Sequence, residues 1–128
     1  MGRISPVQRR AAEQFLNWDS ALFAALEVPI FRYYRKVFVA HALERPIIPA
    51  SGDVWPFFYP MSVTIPDCVN GDNTYVDVEF DCEWEFEHGM EWVIRNGRDV
   101  LYVGGWGIWR IAPYERKFDA GQGLLTPG

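Results

Sequence analysis

The sequence predicts an α+β domain, with N-terminal helices packed on one face of an antiparallel sheet of about four to five strands. Three observations carry that prediction. Apolar residues recur at helical spacing before about residue 45 and alternate with polar ones after about residue 60. Hairpin signals at Glu87-His88-Gly89 and Asn96-Gly97 make the strands around them antiparallel. An apolar content of 49% over 128 residues is too high for a disordered chain and fits one packed core. The chain therefore reads as one domain over 1–128, with a helical part at about 5–44, a connector at 45–60, a sheet part at 61–112 and a loose tail at 113–128.

The first helix starts at Ser5-Pro6-Val7-Gln8, where Ser5 is the N-cap, Pro6 takes the first helical position and Gln8 completes a capping box. Val7, Ala11, Phe15 and Leu16 then share a face. Asn17 to Ser20 breaks the pattern, with a fresh cap at Asp19 or Ser20, and Leu22, Phe23 and Leu26 form a second short stripe. Pro29 opens a third helix that carries Ile30, Tyr33 or Tyr34, Val37, Phe38 and His41 on one side and ends at Glu44-Arg45-Pro46. Arg9, Arg10, Arg32, Arg35 and Lys36 form solvated helix faces. Prolines 46, 49, 56 and 60 punctuate a structured connector, because Val54, Trp55, Phe57, Phe58 and Tyr59 need burial. A helical turn is expected around Asp53 to Phe57, a short strand at Met61 to Ile65 and a turn-rich loop from Pro66 to Asn73.

Tyr75 to Glu87 reads as one long strand. Val76, Val78, Phe80, Cys82, Trp84 and Phe86 alternate with Asp77, Glu79, Asp81, Glu83, Glu85 and Glu87, so one face is apolar and the other anionic. Asn96-Gly97 pairs Arg95 with Arg98, Val93 with Val100 and Trp92 with Leu101. Parity then fixes the earlier turn. A two-residue loop would set Glu85 against Trp92 and strand carboxylates in the core, which costs several kcal/mol each. A three-residue loop at Glu87-His88-Gly89 pairs Phe86 with Met90, Trp84 with Trp92 and Cys82 with Ile94, and puts Gly89 where a left-handed residue is wanted. The opposite face then holds the acid row with Glu91, Arg95, Arg98, Val100 and Tyr102. Trp106, Trp109 and Ile111 suggest one more edge strand, and a loose arm is expected after about Phe118.

Composition narrows the function. Twelve Lys plus Arg against seventeen Asp plus Glu leaves a net charge of −5, which excludes a nucleic-acid binder held by global positive charge. The opening Met1-Gly2-Arg3-Ile4-Ser5-Pro6 has no apolar leader behind it, and no stretch approaches bilayer length. Cys68 and Cys82 match no zinc or redox spacing and read as free thiols of a cytoplasmic protein. No nucleophile elbow or phosphate loop occurs, and with two histidines a metal or other cofactor is not expected.

Two constellations remain. Carboxylates at every second position repel one another over roughly 7 Å, and a basic partner would relieve that repulsion. Asp77, Glu79, Asp81, Glu83, Glu85, Glu87 and His88 are accordingly the expected contacts for a basic, toxin-like protein partner. The plainer reading is a solvated face balanced by Arg95, Arg98 and Lys117 or Arg116; a calcium or magnesium site is the last, disfavoured because carboxylates on one flat strand diverge too much to wrap an ion alone. Glu87-His88 is either turn chemistry or the acid/base pair of a small metal-assisted hydrolase, the alternative function. A homodimer through the last edge strand is a third reading.

The run Cys82-Glu83-Trp84-Glu85-Phe86-Glu87-His88-Gly89-Met90, followed by Val93-Ile94-Arg95-Asn96-Gly97-Arg98 and Val103-Gly104, resembles an uncharacterised bacterial domain family with a C-x-W-x-x-E-H-G-L hairpin. Phe15-Leu16, Tyr33-Tyr34-Arg35, Val54-Trp55 and Tyr59-Pro60 extend the similarity over about residues 10–105. Where that family commonly continues with Gly-His, this chain has Gly104-Gly105-Trp106-Gly107, which weakens any role for a second histidine. The resemblance implies no activity. It does imply an immunity or antitoxin-like partner protein.

Overall fold

Ser5 begins the first helix as its sequence dictates. In the computed structural model, which describes residues 3–41, 46–67 and 71–106 (the side chains of 39–41 and 86 apart), helix α1 spans Pro6–Leu16. The Ser5 hydroxyl accepts from the Gln8 backbone N–H at 3.1 Å, and the Gln8 side-chain oxygen accepts from the Ser5 N–H at 3.0 Å. The Gln8 amide also donates to the Ile65 carbonyl, tying the cap to the sheet. Asp19 then caps the next helix by accepting from the Leu22 N–H at 3.0 Å.

Helix α2 runs unbroken over Ser20–His41 with Pro29 inside it, so the separate third helix expected at Pro29 does not exist. An interior proline loses one helical hydrogen bond and costs about 3 kcal/mol. Leu22, Leu26, Ile30, Tyr33 and Tyr34 nevertheless form one continuous buried stripe across it. At roughly 1.5–3 kcal/mol per buried large apolar side chain, that stripe outweighs the proline.

The connector is pinned by α2. The Tyr34 hydroxyl donates to the Pro46 carbonyl and accepts from the Ile48 N–H, each at 2.8 Å. Two 3-10 turns follow, Ser51–Asp53 and Trp55–Phe57, and the Trp55 indole donates to Glu27 at 2.6 Å. Strand β1, Phe58–Thr64, begins earlier than expected and carries Pro60, which an edge strand tolerates.

Strands β2 (Tyr75–Cys82), β3 (Glu85–Arg95) and β4 (Asp99–Gly104) complete an antiparallel sheet of order β1-β2-β3-β4. Helices and sheet together make an α+β fold. The predicted long strand Tyr75 to Glu87 is broken, however. The chain turns at Glu83-Trp84, with Cys82 opposite Glu85. Met90, Trp92 and Ile94 face Phe80, Val78 and Val76 in place of the expected Phe86, Trp84 and Cys82. The displacement is an even number of residues, so Met90, Trp92 and Ile94 stay on the core face although every predicted pair of this hairpin changes. The reason is Trp84. It is fully buried in the turn, edge-on to Tyr33 and Tyr34 of α2 and to Phe58. Gly89 keeps its positive φ of 52°, but in a bulge of β3 between Glu85 and Met90.

The second hairpin slips as well. Asn96 and Gly97 both have positive φ, as the signal requires, yet Arg95 faces Asp99 and not Arg98. Opposite charges replace like charges across the pair, and Arg95 bonds Asp99 at 3.3 Å. Ile94 then faces Val100, Val93 faces Tyr102, and Leu101 is the extra residue of a bulge. Val100 packs against the core side, contrary to the outward placement expected from parity.

The helices cover the face bearing Val76, Val78, Phe80, Met90, Trp92 and Ile94. The two expected aromatic surfaces merge there. Phe58 touches both Trp84 and Trp92, and the Phe80 and Trp92 rings lie tilted at 46° with centroids 4.3 Å apart. The other face is not a solvated anionic top: Tyr75, Asp77, Glu91, Val93 and Tyr102 on it are buried. Among the described residues no helix is long and apolar enough to cross a membrane. The expected edge strand through Trp109 and Ile111, the tail, Cys68, Arg116, Lys117 and the His41 side chain lie outside the described residues.

Candidate functional site: the acidic edge and the bulge beside it

The residues expected to form one anionic row occupy three environments. Asp77 is buried, with 7% of its surface exposed. Glu79 is half-buried between Ser62 on β1 and Glu91 on β3. Asp81 is exposed opposite Tyr59. Glu83 sits half-buried in the turn, Glu85 half-buried at the start of β3, and Glu87 and His88 exposed in the bulge. A row needs one unbroken strand. The turn at Glu83-Trp84 divides it.

Strand β1 and the end of β2 bring a different set together. The Tyr59 hydroxyl donates to a Glu83 carboxylate oxygen, which pushes the phenol's pKa up because a phenolate would face a carboxylate. The Ser62 hydroxyl bonds Glu79 at 3.3 Å. Tyr59, Asp81, Cys82 and Glu83 line a shallow depression of about 280 Å3. Along the same strand Tyr59, Met61 and Val63 are 50%, 60% and 42% exposed. The sequence reading put Tyr59 in the core and missed these exposed apolar residues; a bulge at Met61 turns Val63 to the face of Val78, so Tyr59 and Met61 are the two beside the carboxylates. Their signal was Pro60, which marks an edge strand.

The bulge is stitched from within. Glu85 accepts from the backbone N–H groups of Glu87 (3.0 Å) and His88 (3.3 Å), and its second oxygen lies 3.6 Å from His88 Nδ1. Burial raises the Glu85 pKa, but these donors outweigh it and hold the carboxyl below its ordinary value. His88 is thus partnered by Glu85, whereas Glu87, its expected partner, is exposed. Behind the loop the Tyr33 hydroxyl donates to the Gly89 carbonyl at 2.5 Å, and burial pushes that phenol's pKa well up. The Trp106 indole N–H is shared between the carbonyls of Phe80 (2.8 Å) and Met90 (2.9 Å), and the Trp106 backbone N–H donates to the His88 carbonyl at 2.7 Å. Cys82 is a free thiol that burial, then the nearby Glu85 and Asp81 charges, raises far above its usual pKa. Among the described residues no group of three or more His, Cys, Asp or Glu side chains is placed to hold a metal.

No curated protein and no solved structure matches the chain. One family does, over residues 1–110, and it spans both helices, all four strands and the bulge. The protein belongs to the family described as Domain of unknown function (DUF6985).

Proposed function

We propose that this is a non-catalytic, cytoplasmic protein-binding domain that takes a basic partner on its acidic β1–β2 edge, as an immunity or antitoxin-like protein would. The observation that carries the reading is the exposure of Tyr59 and Met61 on an edge strand, with Tyr59 directly opposite Asp81 and hydrogen-bonded to Glu83. Apolar side chains that a monomer leaves in water supply affinity when covered. Flanking carboxylates, in a chain of net charge −5, steer a cationic surface toward them. Compared with the sequence expectation, Asp77 leaves the contact set because it is buried, and Tyr59 and Met61 join it.

The test is affinity capture from cells that encode the protein, using the wild type and an Asp81→Lys/Glu83→Lys variant, followed by calorimetry with the captured protein. The reading predicts a basic partner bound one to one and lost with the variant, while Glu13→Lys on α1 binds as before. A captured partner that binds the reversed variant equally well would refute it.

A further inference from the structure

A second surface, sharing no residue with the acidic edge, lies between α2 and the β3–β4 hairpin. There a cleft of about 530 Å3 is floored by Pro29, Val100 and Leu101. Leu101 is the bulge residue created by the slipped hairpin, and it is buried at the bottom. The rim holds Arg32 from α2 and Arg95 and Arg98 from the hairpin.

The charges at this rim do not balance. One carboxylate, Asp99, serves two of the arginines, with Arg95 Nε at 3.3 Å and Arg98 Nε at 3.8 Å. Both contacts are made through Nε, and each guanidinium carries further N–H donors on its two terminal nitrogens. Arg32 makes no ion pair among the described residues. Three guanidiniums against one carboxylate form a positive site in a chain whose net charge is −5. Guanidinium forks recognise phosphate and carboxylate groups bidentately. The volume is that of a small-molecule site, and the apolar floor next to the cationic rim sets the ligand's second requirement.

We propose that this cleft binds a small amphiphile with an anionic head. The head, a phosphate or a carboxylate, is held by Arg32 and Arg98, and its short apolar body lies on Pro29, Val100 and Leu101. Asp99 hydrogen-bonds Arg95, lies near Arg98 and leaves the net charge positive.

Calorimetry on the full 128-residue chain tests this with hexyl phosphate, hexanoate, inorganic phosphate and 1-hexanol. At least one of the two amphiphilic anions should bind one to one, about tenfold or more tighter than either inorganic phosphate or 1-hexanol. The tighter of the two names the head. Arg32→Gln and Arg98→Gln, both at exposed positions, should each weaken that binding about tenfold with an unchanged circular dichroism spectrum. Arg32→Lys, which keeps the charge and loses the fork, should fall between. Equal binding of 1-hexanol would reduce the cleft to a greasy groove, and equal binding of inorganic phosphate would reduce it to diffuse surface charge. Either result overturns the proposal, as does unaltered affinity in both glutamine variants or no saturation by either anion at millimolar concentration.

Discussion

Replacing Gly89 by alanine tests the bulge more sharply than any other substitution. Gly89 has φ +52°, where an L side chain costs about 1–2 kcal/mol. A Cβ there would overlap the Trp106 ring and the Phe80 carbonyl oxygen, so Trp106 has to withdraw. Its indole then loses hydrogen bonds to Phe80 at 2.8 Å and Met90 at 2.9 Å. Each is worth about 0.5–1.5 kcal/mol net. Strain and lost bonds together give a destabilisation of about 2–5 kcal/mol. Gly97→Ala is the control. It also sits at positive φ, 71°, but the nearest atom to its new Cβ is Gln14 Cβ at 3.0 Å, so backbone strain dominates. Urea unfolding followed by tryptophan fluorescence measures both, with the slope checked for constancy. If Gly89→Ala costs no more than Gly97→Ala, Gly89 merely turns the chain, as in a simple hairpin loop, and the description of the bulge is wrong.

Other consequences are read with similar tools. Trp84→Ala should cost about 3–5 kcal/mol, because a fully buried ring is removed, and Trp84→Phe clearly less; equal costs would place Trp84 outside the core. Glu85 has a folded pKa below its unfolded value, so its contribution is complete above about pH 4.3 and is lost as pH falls through the lower folded value. The amide resonances of Glu87 and His88 should therefore move in that acid range in the wild type and stay still in Glu85→Gln; identical titrations would show that Glu85 does not hold the loop. Peptide-resolved alkylation should leave Cys82 unmodified in the native protein and label it in denaturant, and native labelling at neutral pH would contradict its burial.

Local signals in the sequence were obeyed closely. The Ser5–Gln8 capping box, the Asp19 cap and the positive φ of Asn96 and Gly97 are short-range chemistry, legible from a few neighbouring residues. Face assignment on β3 was also legible, because a register error by an even number of residues leaves parity intact. What parity cannot tell is where a hairpin closes. Gly89 offers the same left-handed residue to a turn and to a bulge, and the choice is made by Trp84 seeking the aromatic rings of α2. The Arg95–Asp99 pairing was hidden for a related reason: the Asn96-Gly97 signal places a turn but not the residue at which pairing resumes. Pro29 misled because its local cost is smaller than that of uncovering a buried stripe. Six of the seven proposed contact residues were carboxylates chosen from alternation alone. The break at Glu83-Trp84 and the burial of Asp77 leave Asp81 and Glu83 beside Tyr59 as the part of that set on which the proposal rests. The arginine cleft is a meeting of α2 with a hairpin far along the chain, and no run of residues announces such a meeting.

Hydrogen–deuterium exchange across β1, with and without the captured basic protein, bears most directly on the claim that this edge is the docking surface. Selective slowing at the amides of Tyr59 and of Met61 to Thr64, with the β3–β4 hairpin unaffected, is the predicted result. Unchanged exchange along β1 in a demonstrably formed complex would contradict it.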